Sequence, residues 1–350
     1  MVPGGSRGSA WQRRGGSMAA VAMTTWQENM AVEAAAETRP AWADYFNDEM
    51  IDFWLGEVLW NQDMAKFTSY GVGGCAEAII WPASVRELSL LLKGIRRLNI
   101  PWRLVGGGSN ILVADEGLKG ITLIFGKRFA TIEVVGEKDG LVDVRVEAGC
   151  SLARLVNWCA EQGLSGLEFA AGIPGSVGGA LVMNAGAWGG DISQVIRSIT
   201  VMDEYGECCD KEAGQLHYGY RSWGEDAGLI AVAGVFGLQR GDKAAIKEKC
   251  RKVVAARMKQ QPQEASCGSF FKNPPQGRSA GELIELAGLK GKRLGGAMVS
   301  EKHGNFLINT GSATAHDLVR LMHLVQSTVN EKFGVLLEPE VRLLGFAGGN

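Results

Sequence analysis

The chain lacks an excess of charge of either sign, and it lacks long hydrophobic runs. Its 350 residues carry 36 basic and 38 acidic side chains, for a net charge of -2, which gives no electrostatic reason to expect binding to nucleic acid or to an anionic membrane. No apolar run approaches the ~20 residues that a membrane helix requires. With 46% hydrophobic and 21% charged residues, the composition predicts a soluble globular protein of two or three packed units.

Cysteine and histidine are sparse, and neither is arranged for a disulfide framework or a metal site. The seven cysteines are odd in number and scattered, and they include the adjacent pair Cys208 and Cys209, which suits neither a zinc knuckle nor an easy disulfide. The four histidines show no metal-ligand spacing. We therefore expect reduced thiols, a cytoplasmic location and no structural metal.

Glycine, by contrast, is abundant: 49 of 350 residues, or 14%, against a usual share of about 7%. Many of these glycines lie in two clusters, VGGGSN at 105–110 and AGIPGSVGGALVMNAGAWG at 171–189. A triple glycine alone is most often a turn, and the first cluster lacks the Lys-Ser/Thr of a P-loop. Two clusters some sixty residues apart nevertheless suit a ligand long enough to thread between subdomains.

The pattern divides the chain into an extension and three structured segments. The extension is rich in Gly, Ser, Ala and Arg and shows no sustained apolar period, so we expect it to be disordered. The predicted segments are a disordered extension over 1–40 and three structured segments over 41–126, 127–241 and 242–350.

Periodicity predicts the elements within these segments. An amphipathic stretch to about Trp60 leads into a β-α-β-β unit whose helix is capped by Ser84. The alternating strand VDVRVEAG opens the second segment, and a helix closed by Gly163 follows. In the third segment we expect helices over 242–258, 280–288 and 314–333 and a terminal strand, VLLEPEVRLLG.

Three further motifs place polar side chains in loops or on that strand. CGSFFKNP offers Ser269 and Lys272 after a glycine, although no G-x-S-x-G elbow surrounds the serine. YGYRSW offers Arg221 among aromatic residues, and LLEPEV puts Glu338 and Glu340 on one face of a strand. Each motif alone fits a simpler interpretation: a turn serine, a surface arginine stacked on aromatic rings, and two solvated carboxylates.

Taken together and in this order, the motifs resemble the bacterial UDP-N-acetylenolpyruvoylglucosamine reductase family. The resemblance covers roughly residues 60–346, and several ordered motifs are far more specific than one. It implies an α+β chain, with a vanillyl-alcohol-oxidase (PCMH) type FAD-binding domain in two α/β parts, subdomains over 41–126 and 127–241. An α+β C-terminal substrate-binding domain over 242–350 would follow. The motifs that carry it are TSYGVGG, LVGGGSNILV, GLSGLEFAAGIPGSVGGALVMNAGAWG, YGYRS, CGSFFKNP, ELIELAGLKGKRLGGAMVSEKHGNFLIN and LEPEVRLLG.

The resemblance also implies site residues. Arg221, Ser269 and Glu340 match the family's active-site arginine, proton-donating serine and terminal glutamate. The implied substrate contacts are Asn184, Tyr220, Lys272, Asn273 and Asn305. The implied FAD-binding residues are Gly106, Gly107, Gly108, Ser109, Asn110, Ile173, Pro174, Gly175, Ser176, Gly178 and Gly179.

The family's chemistry implies noncovalent FAD as cofactor, NADPH as reductant and UDP-N-acetylglucosamine enolpyruvate as substrate. The product would be UDP-N-acetylmuramate, a peptidoglycan precursor. We expect a monomer with no nucleic-acid or membrane partner.

Two other hypotheses stay open at this point. The chain could be another flavin oxidase or dehydrogenase of the same FAD fold, or a nucleotide-sugar binding module that has lost catalysis. Only 47 residues separate Arg221 from Ser269, counted as 269 - 221 - 1, which favours the family's loopless subtype. Trp188 and the His303-Gly304 pair depart modestly from the family pattern.

Overall fold

The computed structural model describes residue 40 and residues 42–44, 54–225 and 228–346. The chain separates into two compact units, Met1–Glu49 and Met50–Asn350. The predicted disordered extension falls almost wholly on residues 1–39, outside the described residues.

A four-stranded sheet opens the second unit, in the order β1-β2-β5-β3. The β1 and β2 strands are antiparallel, whereas β5 runs parallel to both β2 and β3. The first helix, α1, begins as predicted after Ser84, whose hydroxyl accepts a hydrogen bond from Glu87 N. The elements are β1 (Glu57–Asp63), β2 (Cys75–Trp81), α1 (Val85–Arg97), β3 (Trp102–Val105) and β5 (Leu118–Ile124).

The strand after the first glycine cluster leaves this sheet. It is β4 (Ile111–Val113), and it pairs in parallel with β17 (Arg342–Leu344) near the end of the chain. The prediction of a local β-α-β-β unit is therefore wrong for this strand, whereas the predicted strand GITLIF lies in the sheet as β5. The predicted terminal strand is also wrong in length, because only three residues of VLLEPEVRLLG are extended in a ladder.

The second sheet is antiparallel, in the order β12-β11-β13-β7-β6 with β8 added against β13. Its inner face packs on α2, which ends at Gly163 with a left-handed φ of 70°. The elements are β6 (Ile132–Lys138), β7 (Leu141–Glu147), α2 (Leu152–Gln162), β8 (Leu164–Ser165), α3 (Val177–Val182), β9 (Gly186–Ala187), β10 (Gly190–Asp191), β11 (Ile196–Met202), β12 (Cys208–Glu212) and β13 (Ile230–Arg240).

Most of the remaining elements pack around a second core. The long helix α6 begins with a capping box between Thr314 and Asp317 and ends at Gly334, as the sequence predicts. Tyr70 and Leu112 contribute to this core from far upstream, and Tyr70 Oη donates to Leu307 O at 3.1 Å. The elements around this core are α5 (Ala280–Leu286), β14 (Arg293–Leu294), β15 (Ala297–Val299), β16 (Leu307–Asn309) and α6 (Ala315–Phe333). The helix that precedes them, α4 (Lys243–Gln260), packs instead on the core of the second sheet through Cys250 and Val253.

Candidate functional site

The two glycine clusters lie directly against each other. A Cβ atom on Gly107 would stand 2.6 Å from Gly175 Cα, closer than any side chain can be accommodated without movement of the backbone. Ser109 Oγ donates to Pro174 O at 3.2 Å across the same contact. The clusters that the sequence analysis singled out therefore form one surface, in which the Gly107 and Gly175 backbones touch and the Ser109 hydroxyl bonds to Pro174 O.

A cleft of about 340 Å³ opens beside this contact. Gly108 closes the turn next to it with a φ of 68°, and a Cβ atom there would stand 1.9 Å from Phe67 O. The cleft is lined by Lys66, Phe67, Thr68, Ser69, Gly106, Gly107 and Ile124. Backbone groups that face an open cleft without intervening side chains suit a ligand that approaches the main chain closely.

Part of the second glycine cluster already forms hydrogen bonds within the protein. Ser176 caps α3 by accepting from Gly179 N, and Gly178 N donates to Ala148 O at 2.8 Å. Ile173 is partly buried against the second sheet's core. Of the predicted FAD-binding residues, the backbone N–H groups of Gly178 and Gly179 therefore already have partners.

Asn110 connects the first glycine cluster to the end of the chain. Its Nδ2 donates to Glu340 O at 3.1 Å, and Arg342 N donates to Asn110 O at 3.0 Å. These bonds and the β4–β17 pairing bring Glu340 to the edge of the glycine surface.

Arg221 and Glu340 form a half-buried ion pair at this edge. Arg221 Nε lies 2.8 Å from Glu340 Oε1, with side-chain exposures of 23% and 12%. Burial raises the pKa of Glu340, and the charges of Arg221 and Lys272 oppose that rise. Among the described residues, Glu340 Oε2 is buried without a hydrogen-bond partner, so one oxygen of this carboxylate has unused acceptor capacity.

Glu338 has a different environment. Its side chain is 73% exposed and lies 3.4 Å from Lys272 Nζ. The prediction that Glu338 and Glu340 share one face of a strand is wrong, because both precede β17, which begins at Arg342.

Ser269 lies in the loop that borders Glu340. Glu340 N donates to Phe270 O at 2.8 Å, so the residue after the serine is fixed to the glutamate's backbone. Ser269 itself is half-buried, and its hydroxyl has no hydrogen-bond partner within the described ranges. The structure thus brings together the loop of Ser269 and the Arg221–Glu340 pair, which the sequence placed in separate motifs.

Two of the predicted substrate contacts are buried asparagines whose amides bind backbone. Asn305 Nδ2 donates to Phe271 O at 2.8 Å, and Phe271 N donates to Asn305 Oδ1 at 2.9 Å. Asn184 Nδ2 donates to Gly219 O at 3.1 Å, and Ser193 N donates to Asn184 Oδ1 at 3.0 Å. Each amide therefore shapes a loop of the site.

The other three predicted contacts form an exposed rim. Tyr220 is 56% exposed, and its ring centroid lies 5.2 Å from Arg221 Cζ. Asn273 N donates to Tyr220 Oη at 3.5 Å, while Asn273 Oδ1 accepts from Ala280 N at the start of α5. Tyr220, Lys272 and Asn273 thus offer an aromatic face and donors toward solvent.

Sequence analysis missed Arg257 near the end of α4. A Cβ atom added to Gly172, in the second glycine cluster, would stand 3.1 Å from Arg257 Cδ. Burial lowers the pKa of Arg257, and the charge of Arg221 adds to that effect. Its Nε is buried without a partner among the described atoms. No local signal distinguishes it from the exposed basic residues of the same helix, because only the tertiary fold places it beside Arg221.

All seven cysteines carry free thiols. Within the described residues, no group of three or more His, Cys, Asp or Glu side chains is placed to hold a metal ion. In the same part of the chain, no helix combines the length and apolarity needed to cross a membrane.

Family profiles match both halves of this arrangement. The profile of the UDP-N-acetylenolpyruvoylglucosamine reductase C-terminal domain matches residues 260–344, and an FAD binding domain profile matches residues 76–210. The predicted fold class, an FAD-binding domain followed by a C-terminal domain in a mixed α and β chain, is confirmed.

Curated proteins and a solved structure agree with the profiles. A UDP-N-acetylenolpyruvoylglucosamine reductase from Lactobacillus johnsonii is 43% identical over 83% of this chain and 95% of its own length. One from Desulfosudis oleivorans is 42% identical over 82% and 95%. The crystal structure of UDP-N-acetylenolpyruvylglucosamine reductase from Thermus caldophilus matches with a TM-score of 0.71 and 35% identity, over 83% of this chain and all of that one.

Proposed function

The chain belongs to the UDP-N-acetylenolpyruvoylglucosamine reductase family, and on that premise we propose that Arg221, Ser269 and Glu340 form its reaction centre. It is an FAD-dependent oxidoreductase that uses NADPH to reduce UDP-N-acetylglucosamine enolpyruvate to UDP-N-acetylmuramate in peptidoglycan synthesis. We further infer a cytoplasmic monomer whose product supports cell-wall growth, and through it cell shape and division.

We propose that FAD binds at the surface formed by the two glycine clusters. Gly106 and Gly107 line the cleft and Gly108 closes the turn beside it. Ser109 bonds to Pro174 O in the adjoining segment of Ile173, Pro174, Gly175 and Ser176. The support is steric: a Cβ atom on Gly107 would collide with Gly175, so only glycine keeps the two segments in contact. The orphaned Nε of Arg257 beside Gly172 adds a buried cation that fits an anionic ligand.

When bound, FAD supplies a two-electron carrier that accepts hydride from NADPH and passes hydride to the alkene of the substrate. The task left to the chain is to stabilise charge and to deliver a proton. Hydride addition builds negative charge toward the substrate carboxylate, and a fixed cation in a partly desolvated site stabilises that charge. Arg221 is the group proposed for this role.

Glu340 orients that cation. The carboxylate holds Arg221 at 2.8 Å, and Gly186 O accepts from the same guanidinium at 3.3 Å. Its second oxygen, Oε2, has no partner within the described chain and can accept a hydrogen bond from a bound water or from the substrate.

Ser269 is the proposed proton donor. A serine hydroxyl is a poor acid in water, so this use requires a preorganised, partly desolvated site in which the acceptor is strongly basic. The half-buried loop of Ser269 is fixed to the Glu340 backbone through Phe270, which supplies that fixed position. Tyr220, Lys272 and Asn273 form the rim proposed to contact the nucleotide sugar.

The observation that carries this proposal is the half-buried Arg221–Glu340 pair beside the Ser269 loop, assembled from three separate motifs. The stretch between Arg221 and Ser269 is occupied by β13 and α4, which also supports the loopless subtype.

A colour experiment tests the function directly. The purified protein should be yellow, should bleach with NADPH under anaerobic conditions, and should regain its colour when UDP-N-acetylglucosamine enolpyruvate is added. Bleaching by an alcohol or a sugar in place of NADPH would favour a different flavin oxidoreductase. Binding of the nucleotide sugar without NADPH oxidation would favour a module that has lost catalysis.

A further inference from the structure

Arg221 sits at the tip of a tight turn with an unusual backbone. Gly219 and Ser222 pair as an isolated antiparallel bridge, with Gly219 N donating to Ser222 O at 2.9 Å. Tyr220 and Arg221 are the two residues between them. Arg221 has a φ of 58°, a left-handed conformation that a non-glycine residue adopts at an energetic cost.

Left-handed backbone recurs around this turn. Six non-glycine residues of the described chain have positive φ, and three of them, Asn184, Trp188 and Arg221, belong to this region. Trp188 and Gly189 form the two-residue loop between β9 and β10, with positive φ at both positions, as in a type I′ turn. Gly186, in β9, supplies the carbonyl that accepts from Arg221 Nη1.

Asn184 joins these two strained turns. It is 7% exposed, and its Nδ2 donates to Gly219 O, the base of the turn that carries Arg221. Its Oδ1 accepts from Ser193 N, just beyond the β9–β10 hairpin. A single buried amide therefore fixes both the turn that presents the guanidinium and the hairpin that receives it.

We propose that Asn184 is a positioning residue that aims Arg221, acting through Gly219 and the β9–β10 hairpin. This inference rests on the proposed function, in which Arg221 stabilises charge on the substrate. Both polar atoms of the Asn184 amide are engaged by backbone within the protein, so its contribution to catalysis passes through Arg221.

The Asn184→Asp variant tests the donor specifically. Aspartate keeps an oxygen for Ser193 N and tolerates left-handed backbone, but it places an acceptor against Gly219 O. The reoxidation of the reduced protein by the enolpyruvyl substrate should slow by roughly 10-fold or more, because small misplacements of a catalytic group cost up to about 10²-fold. Reduction by NADPH should change much less.

The chain offers a matched control in Asn99. It has a φ of 51° but lies exposed at the end of α1, far in sequence from the site. Asn99→Ala and Asn184→Ala therefore impose the same backbone penalty, and only Asn184→Ala should slow reoxidation.

A double-mutant cycle distinguishes positioning of Arg221 by Asn184 from a general loss of structure. If Asn184 acts through Arg221, Asn184→Asp should cause no further slowing in an Arg221→Ala background. If the double variant is slowed by the product of the two single-variant factors, Asn184 does not act through Arg221 and the inference is wrong. Should Arg221→Ala alone reoxidise at the parent rate, the proposed function of Arg221 would fail.

A measurement independent of turnover keeps the two proposals apart. Amide hydrogen exchange of residues 219–223 should be about 10-fold or more faster in Asn184→Asp, because the turn loses its anchor, and should be unchanged in Asn99→Ala. Unchanged exchange in Asn184→Asp would refute the anchoring role, whatever the activity of the Arg221 variant.

Discussion

At the scale of single residues, Gly107 shows how a missing side chain shapes the proposed FAD seat. Gly107→Ala would push a methyl group into Gly175, and separating the two backbones should cost roughly 1–3 kcal/mol. We expect lower FAD content and a lower melting temperature, measured by flavin absorbance and thermal denaturation. The exposed Gly214, with open space around it and no positive φ, is the control: Gly214→Ala should stay within about 0.5 kcal/mol of the parent. Equal effects would show that the contact of the glycine clusters is not needed.

Residue-level prediction from sequence succeeded where the signal was local. Ser84, Gly163 and Thr314 are helix boundaries as predicted, because capping depends on the residue itself and on its immediate neighbours. The Arg221–Glu340 pair was not predictable from spacing, since it joins residues that only the tertiary fold brings together. The roles of Ser269 and of the predicted substrate contacts remain predictions.

At the scale of elements, the start of α6 is held by a side chain from the loop after β4. The carboxylate of Asp115 accepts from Ala315 N at 2.9 Å and from His316 N at 3.0 Å, and it lies 2.7 Å from His316 Nδ1. The Asp115 contact raises the pKa of His316. Partial burial alone would raise the pKa of Asp115, but the hydrogen bonds from Ala315 and His316 outweigh it and lower that pKa.

These shifts predict a pH window for the contact. The contribution of His316 to the free energy of unfolding should be fully present below the ordinary histidine pKa of about 6.5. It should disappear as the pH rises through the raised pKa of His316. The contribution of Asp115 should be lost as the pH falls through its lowered pKa, below about 4. Because the pair is exposed, the stability difference should stay under about 1 kcal/mol.

Thermal denaturation of His316→Gln across pH 5 to 9 measures this window. The variant should melt below the parent near pH 5.5 and match it near pH 9. His323→Gln, at an exposed position on the same helix, is the control and should track the parent throughout. If the melting temperature of His316→Gln falls further below that of the parent as the pH rises, the prediction is wrong.

Elements whose partners are distant in sequence were the ones that sequence analysis missed. Residues up to Trp60 were expected to be amphipathic, but Glu57–Asp63 forms β1 because it pairs antiparallel with β2. The β4 strand likewise leaves its neighbours to pair with β17. Strand pairing at long range depends on tertiary context, which local periodicity does not encode.

At the scale of the whole molecule, the end of the chain completes the FAD-binding half. Parallel pairing of β17 with β4 and the bond from Asn110 to Glu340 O fix Glu340 beside the glycine surface. Residues 50–350 form one compact unit, and the C-terminal core includes Tyr70 and Leu112 from far upstream. The predicted domain boundaries at 126 and 241 therefore remain predictions.

The same arrangement predicts a dissociable cofactor. Neither glycine cluster contains a histidine that could tether the flavin. Acid precipitation should therefore leave the yellow colour in the supernatant and a colourless pellet. Colour that stays with the denatured polypeptide would point to a covalent bond, for which the exposed Cys75 would be the first residue to test.

The central claim is that Ser269 delivers the proton beside the Arg221–Glu340 pair, and stopped-flow measurement of the two half-reactions of Ser269→Ala tests it most directly. The variant should fold, bind FAD and be bleached by NADPH at the parent rate, because that step needs no proton from this side chain. Recolouring by UDP-N-acetylglucosamine enolpyruvate should slow by roughly 10²-fold or more, the usual scale for removal of a positioned general acid. Ser327→Ala, on the exposed face of α6, should leave both rates unchanged. If Ser269→Ala recolours at the parent rate, Ser269 is not the donor and the proposed reaction centre is wrong.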